Sequence, residues 1–89
     1  MIYTEEYKRY VVASLDERTE YIKVLGNRQY GLVPTVAGAT KYDRRSTANL
    51  ILEYYRQATG DIRSFVVLPV LITYDLIDET EFELDGGFK

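Results

Sequence analysis

Gly26 and Asn27 stand between two runs of β-forming residues, 20–25 (EYIKVL) and 29–33 (QYGLV). A connection this short can join only antiparallel neighbours, and glycine supplies the positive φ that a tight reversal needs. The hairpin therefore anchors every topology open to the chain. It leaves the register unset. A two- or four-residue loop pairs the same residues, whereas a three-residue loop exchanges the faces.

The other elements attach to this hairpin. Residues 7–14 (YKRYVVAS) are rich in β-formers and read as a first strand, with residues 15–19 (LDERT) as the polar turn that follows. Pro34 ends the third strand, residues 35–39 (TVAGA) form a small-residue loop, and residues 40–42 make a brief extended segment. A helix is predicted over residues 44–59, where Ala48, Ile51, Leu52 and Tyr55 follow the i, i+3, i+4, i+7 spacing of one apolar stripe. Asp43 or Ser46 would cap its start, and Gly60 stands where a left-handed C-terminal residue belongs. Residues 64–74 (SFVVLPVLITY) are the most hydrophobic segment and read as a last strand. Pro69 cannot donate to a ladder, which assigns it to a sheet edge or a bulge, or to a break that divides the strand.

The order β-β-β-α-β defines an α+β fold, a small antiparallel sheet of about four strands with one helix packed on one face. Residues 1–76 form the single domain, and residues 77–89 an acidic C-terminal tail. One helix covers only one side of a sheet. Yet apolar residues occupy both parities of the strands: Tyr21 and Leu25 alternate with Ile22 and Val24, and Val67, Pro69 and Leu71 with Val66, Leu68, Val70 and Ile72. A twofold homodimer, face on face or edge on edge, would cover the second side. The competing reading is that the tail folds back over it, or that Tyr-rich faces tolerate water.

What the chain lacks narrows its chemistry. Among 89 residues there is no His and no Cys. A Ser-His-Asp triad, thiol catalysis and ordinary structural zinc sites are thereby excluded, and no cofactor motif is present. A domain this small buries roughly 64% of its unfolded surface, too little core to hold a deep cleft easily. The missing cysteines favour a reducing compartment, and the N-terminus lacks the pattern of a secretory signal, so a cytoplasmic location is expected. No apolar run is long enough to cross a bilayer.

Charge is unevenly distributed. Residues 1–74 hold 10 basic and 8 acidic side chains, while residues 75–89 hold 6 acidic and 1 basic. The net charge of −3 argues against direct binding of nucleic acid. Glu79, Glu81, Glu83 and Asp85 alternate, so an extended segment would present them as one anionic row to a basic partner. A solvated terminus is the simpler reading. Arg44, Arg45, Ser46 and Thr47 open the predicted helix, where free N–H groups, guanidinium groups and hydroxyls would suit a phosphate or carboxylate. Against this stands a capping side chain beside two solvated arginines. The chain has nine Tyr, a residue type enriched at protein interfaces. Tyr7 and Tyr10, with Lys8 and Arg9 between them, mix aromatic and basic groups as base-stacking platforms do, and are candidates for binding a partner; the simpler reading is that they are ordinary half-buried strand residues.

Several segments together, Tyr21-Ile22-Lys23, Tyr30-Gly31-Leu32, Ala39-Thr40-Lys41-Tyr42, the helix and Gly60, resemble small, largely uncharacterised proteins of Gram-positive bacteria and their phages. The resemblance spans residues 21–74 and carries over no catalytic or binding residue. It implies an accessory role, and by analogy leaves open an acidic inhibitor or regulator of a nucleic-acid-binding protein. The residues themselves point to a non-enzymatic interaction protein that self-associates through strands and Tyr-bearing faces.

Overall fold

A computed structural model of the chain describes residues 3–76. Four strands, β1 (Tyr3–Ser14), β2 (Glu20–Gly26), β3 (Gln29–Val33) and β4 (Phe65–Leu76), form one antiparallel sheet in the order β3-β2-β1-β4. Among the described residues one helix, α1 (Arg45–Thr59), lies between β3 and β4 in sequence and packs on one face of the sheet. The α+β architecture expected from the pattern is the observed one.

The hairpin forms between β2 and β3, with a different residue at its left-handed position. Gly26 pairs with Gln29, and Arg28 carries the positive φ of 59°. The ladder shifts register between Val24 and Gly26, so a bulge at Leu25 absorbs the offset. Gly26 was the glycine expected to make the reversal; the bulge moves the left-handed position past it.

The helix obeys its stripe. Ala48 and Tyr55 are buried, and Ile51 and Leu52 pack beside them against Val12, Ile22 and Tyr42. Gly60 takes the left-handed conformation (φ 75°) and gives its N–H to Arg56 O at 2.8 Å. The expected N-cap is not found. Arg44 occupies that position and no side chain caps the first turn. Asp43 lies one residue before that position, where it pairs with Arg9, Nε to Oδ1 at 3.1 Å, and Ser46 lies inside the first turn.

β1 and β2 pair only at Ala13–Tyr21 and Ser14–Glu20, and then diverge. The segment 40–42 fills the opening. Tyr42 exchanges backbone bonds with Tyr10 (2.8 and 2.9 Å), Thr40 N–H reaches Ile22 O (3.3 Å), and Val24 N–H donates to Thr40 Oγ1 (2.8 Å). Backbone groups that would be orphaned by the divergence are satisfied in this way. Lys41 ties the preceding loop, its ammonium donating to Val36 O and Ala39 O at 2.8 and 3.0 Å.

β4 pairs with β1 along its whole length, from Ser14–Phe65 to Tyr3–Leu76. Pro69 sits within it, does not divide it, and lies on the edge strand of the sheet, as its missing N–H requires. Beyond Tyr10 and Pro69 the two strands run on with no third strand paired to them among the described residues. The domain thus has a body, where the helix closes the core, and a two-stranded arm.

Candidate interaction site

Alternation along β1 and β4 sorts the arm into two unlike faces. On the helix side stand Thr4, Glu6 and Lys8, with Leu71, Thr73 and Asp75 opposite them. Thr4 Oγ1 donates to Asp75 Oδ1 at 3.0 Å, and Leu71 is the one large apolar side chain on that face. On the helix-free side stand Tyr3, Glu5, Tyr7 and Arg9, paired with Leu76, Tyr74, Ile72 and Val70. Apart from Glu5 and Arg9 this face is aromatic and aliphatic, and it continues into Val11, Leu68, Ala13 and Val66 of the body.

The helix-free face is open where the arm begins. Tyr3, Tyr74 and Leu76 retain 53%, 60% and 59% of their exposure, whereas Val11 and Ala13 at the body end are fully buried. Tyr7 and Tyr74 meet edge to face at 5.9 Å between ring centres, and the Arg9 guanidinium lies 5.3 Å from the Tyr7 ring centre. Tyr7, Arg9, Ile72 and Tyr74 line a shallow groove of about 280 Å³. The Tyr7 hydroxyl donates to Glu5 Oε1 at 2.8 Å, which pushes its pKa up. Arg9 is held in turn by Asp43.

Tyr10 does not join Tyr7. Three residues apart on a strand, the two point to opposite faces. Tyr10 packs at the margin of the core, with Arg45 and Lys8 over its ring at 4.9 and 5.7 Å. The Tyr7–Tyr10 stretch therefore forms no single aromatic-basic platform. The helix start also disperses. Arg45 donates from Nη1 to Val67 O (3.2 Å) and lies over Tyr10, so it turns toward the sheet, while Arg44, Ser46 and Thr47 are exposed. Glu79, Glu81, Glu83 and Asp85 lie outside the described residues.

A second cluster holds the far end of the body together. Asp61 accepts from the Tyr55 hydroxyl (2.6 Å) and from Arg63 Nη2 (2.8 Å), and Arg63 reaches Glu20 at 3.1 Å. The Arg63 guanidinium beside it holds the Asp61 carboxyl well below the usual carboxylate range. Burial, seconded by the bond to Asp61, pushes the Tyr55 hydroxyl up. Asp61 thus stays ionised and Tyr55 protonated near neutrality. Both are committed to joining the end of α1 to the start of β2.

Among the described residues no group of three or more acidic side chains is placed to hold a metal ion, and no helix is long and apolar enough to cross a membrane. No protein-family model, curated protein or solved structure matches this chain. The arm was only half visible in the sequence, where the first strand began at Tyr7 and the last ended at Tyr74. The signal that extends them is the period-two run Tyr3, Glu5, Tyr7, Arg9, read against Val70, Ile72, Tyr74, Leu76.

Proposed function

We propose that this chain is a non-enzymatic interaction protein of a reducing compartment that self-associates through its β1–β4 arm. The observation that carries the reading is the arm itself: a two-stranded ribbon that encloses no core among the described residues and whose helix-free face, apart from Glu5 and Arg9, is apolar. Isolated two-stranded ribbons are marginal in water, and exposed apolar surface of this kind marks docking sites. The absence of His and Cys, and the purely structural use of the perturbed Asp61 and Tyr55, support a binding role over a catalytic one. The acidic-inhibitor reading rests on Glu79 to Asp85, and no described contact favours it.

Light scattering after size exclusion, from about 1 µM to about 1 mM, tests the reading across the affinities typical of weak and strong association. A concentration-dependent dimer is expected, weakened at least about tenfold by Tyr74→Lys, which places a charge on the apolar face. A chain that stays monomeric throughout, with amide spectra that do not change with concentration, refutes self-association.

A further inference from the structure

The direction of each backbone group on β4 follows from a single pair of bonds. Tyr10 uses both its N–H and its C=O on Tyr42, so it faces away from β4. Its partner Pro69 therefore faces the open edge, where a missing N–H does no harm. Alternation turns Phe65, Val67, Leu71, Thr73 and Asp75 the same way. The contact of Arg45 Nη1 with Val67 O at 3.2 Å agrees, since that carbonyl is reachable only from the edge.

The edge is thus guarded in one half and open in the other. Over the body, Arg45 occupies the Val67 carbonyl and Pro69 offers no donor, two devices that blunt a strand edge. Over the arm, Leu71, Thr73 and Asp75 present both donor and acceptor, and no described strand, loop or side chain takes them up. Leu71 is 64% exposed there. The opposite side of the arm is better protected. Its outward groups belong to Thr4 and the charged Glu6 and Lys8, and Lys8 O already accepts from Arg9 at 2.9 Å.

We infer that the occupant of this edge is the β4 strand of a second copy, paired antiparallel about a twofold axis at Thr73. The inference rests on the self-association proposed above and gives it a mode. In this register Thr73 exchanges bonds with Thr73 of the other copy, and Leu71 with Asp75, while Pro69 stays outside the ladder. An axis at Leu71 would set Pro69 against Thr73 and lose a donor in each half. An axis at Asp75 would set two carboxylates opposite one another, which destabilises a strand pair. The Thr73 axis instead brings Lys8, across the Leu71 side chain, toward Asp75 of the other copy. Two residues of opposite charge then lie two strand spacings apart, about 9–10 Å, within reach of a lysine stem. On the helix-free side it sets Ile72 beside Tyr74 of the other copy and runs the two apolar faces into one.

Two substitutions read the edge directly. Thr73→Pro removes an outward N–H and no bond to β1, so the monomer fold is retained, as amide spectra would verify. It is expected to raise the dimer dissociation constant by about a hundredfold. The chain has no cysteine, so Thr73→Cys reports only on contact between copies. Mild oxidation should convert it to a covalent dimer, since residues exchanging bonds across an antiparallel pair lie near disulfide distance. Leu71→Cys, placed away from the axis, should remain uncrosslinked. A dimer that survives Thr73→Pro and dissociates with Tyr74→Lys means face-on-face packing; it overturns the edge and leaves self-association standing. A wild-type monomer at every concentration overturns both. Hydrogen-exchange protection of Leu71 and Thr73 that does not vary with concentration means an intramolecular strand occupies the edge, and also overturns the inference.

Discussion

Tyr55→Phe isolates one hydrogen bond at the joint between helix and sheet. Tyr55 is 4% exposed, and its ring meets Tyr30 and Phe65 edge to face at 5.9 and 5.4 Å between centres. The substitution keeps those ring contacts and removes only the oxygen that donates to Asp61 Oδ2 at 2.6 Å. Hydrogen bonds to ionised acceptors contribute about 1.5–3 kcal/mol. Asp61 retains Arg63 through Nε, Nη2 and the backbone N–H, so its carboxylate is not orphaned. The expected cost therefore falls at the low end, about 1.5 kcal/mol. For a domain of this size that lowers the thermal midpoint by roughly 6–12 °C. Denaturant titration at pH 7 measures it, with an unchanged slope showing that the unfolded state is unaffected.

The pH dependence gives a second readout. The Asp61 carboxyl is held low in the native state, chiefly by hydrogen bonds from Arg63, while an unfolded Asp titrates near 3.9. As pH falls, the unfolded chain takes up this proton first. The contribution of Asp61 is thus complete above about pH 4 and is lost progressively in acid. Tyr55→Phe removes part of what lowers the native value. The gap between wild type and variant should be constant from neutrality to about pH 4 and close only in acid. An unchanged midpoint at pH 7 would refute the assignment, and so would a gap that changes between pH 5 and 8.

Ser14 and Arg28 give two tests in which stability rises. Ser14 is fully buried and its Oγ has no hydrogen-bond partner, so Ser14→Ala removes a desolvated hydroxyl and breaks nothing. A gain of about 1 kcal/mol in denaturant titration is expected, and a loss would mean that the hydroxyl is bonded. Arg28 holds φ at 59°, a conformation costing about 1 kcal/mol for a residue with a side chain. Arg28→Gly relieves that cost and concedes roughly half of it to unfolded-state entropy, for a net gain of about 0.5 kcal/mol. Arg28→Ala keeps the strain, and an equal gain from it would show that φ is not the cause.

The body of the fold was legible because its signals are local. The stripe Ala48, Ile51, Leu52, Tyr55 and the closing Gly60 need only helical geometry to be read. The strands around Gly26 carry their own β-formers. Where reading failed, a distant partner outweighed local preference. Asp43 has the chemistry of a cap, but the N-cap position falls one residue past it and its carboxylate pairs with Arg9 of β1. Residues 40–42, by contrast, are the brief extended segment the sequence suggests, held by the otherwise orphaned backbone groups of Tyr10, Ile22 and Val24. Near the start of β1, Glu5 and Glu6 are weak in β preference, and they become strand because Tyr74 and Thr73 lie opposite.

That last case bears on the site. In the body, β1 and β4 are fixed by what they enclose: Val12 and Val67 face the helix and would be strand in almost any packing of this core. In the arm, the same strands enclose nothing among the described residues. Their pairing must be sustained by cross-strand contacts such as Tyr7 with Tyr74, each worth no more than about 1 kcal/mol. The cost of ordering each backbone residue is about 1–2 kcal/mol. Twelve-residue strands are thus longer than the described core can hold in place. A second strand along Leu71, Thr73 and Asp75 would supply the missing interactions on the β4 edge of the arm, which no described residue covers. Arm order and self-association should therefore rise and fall together.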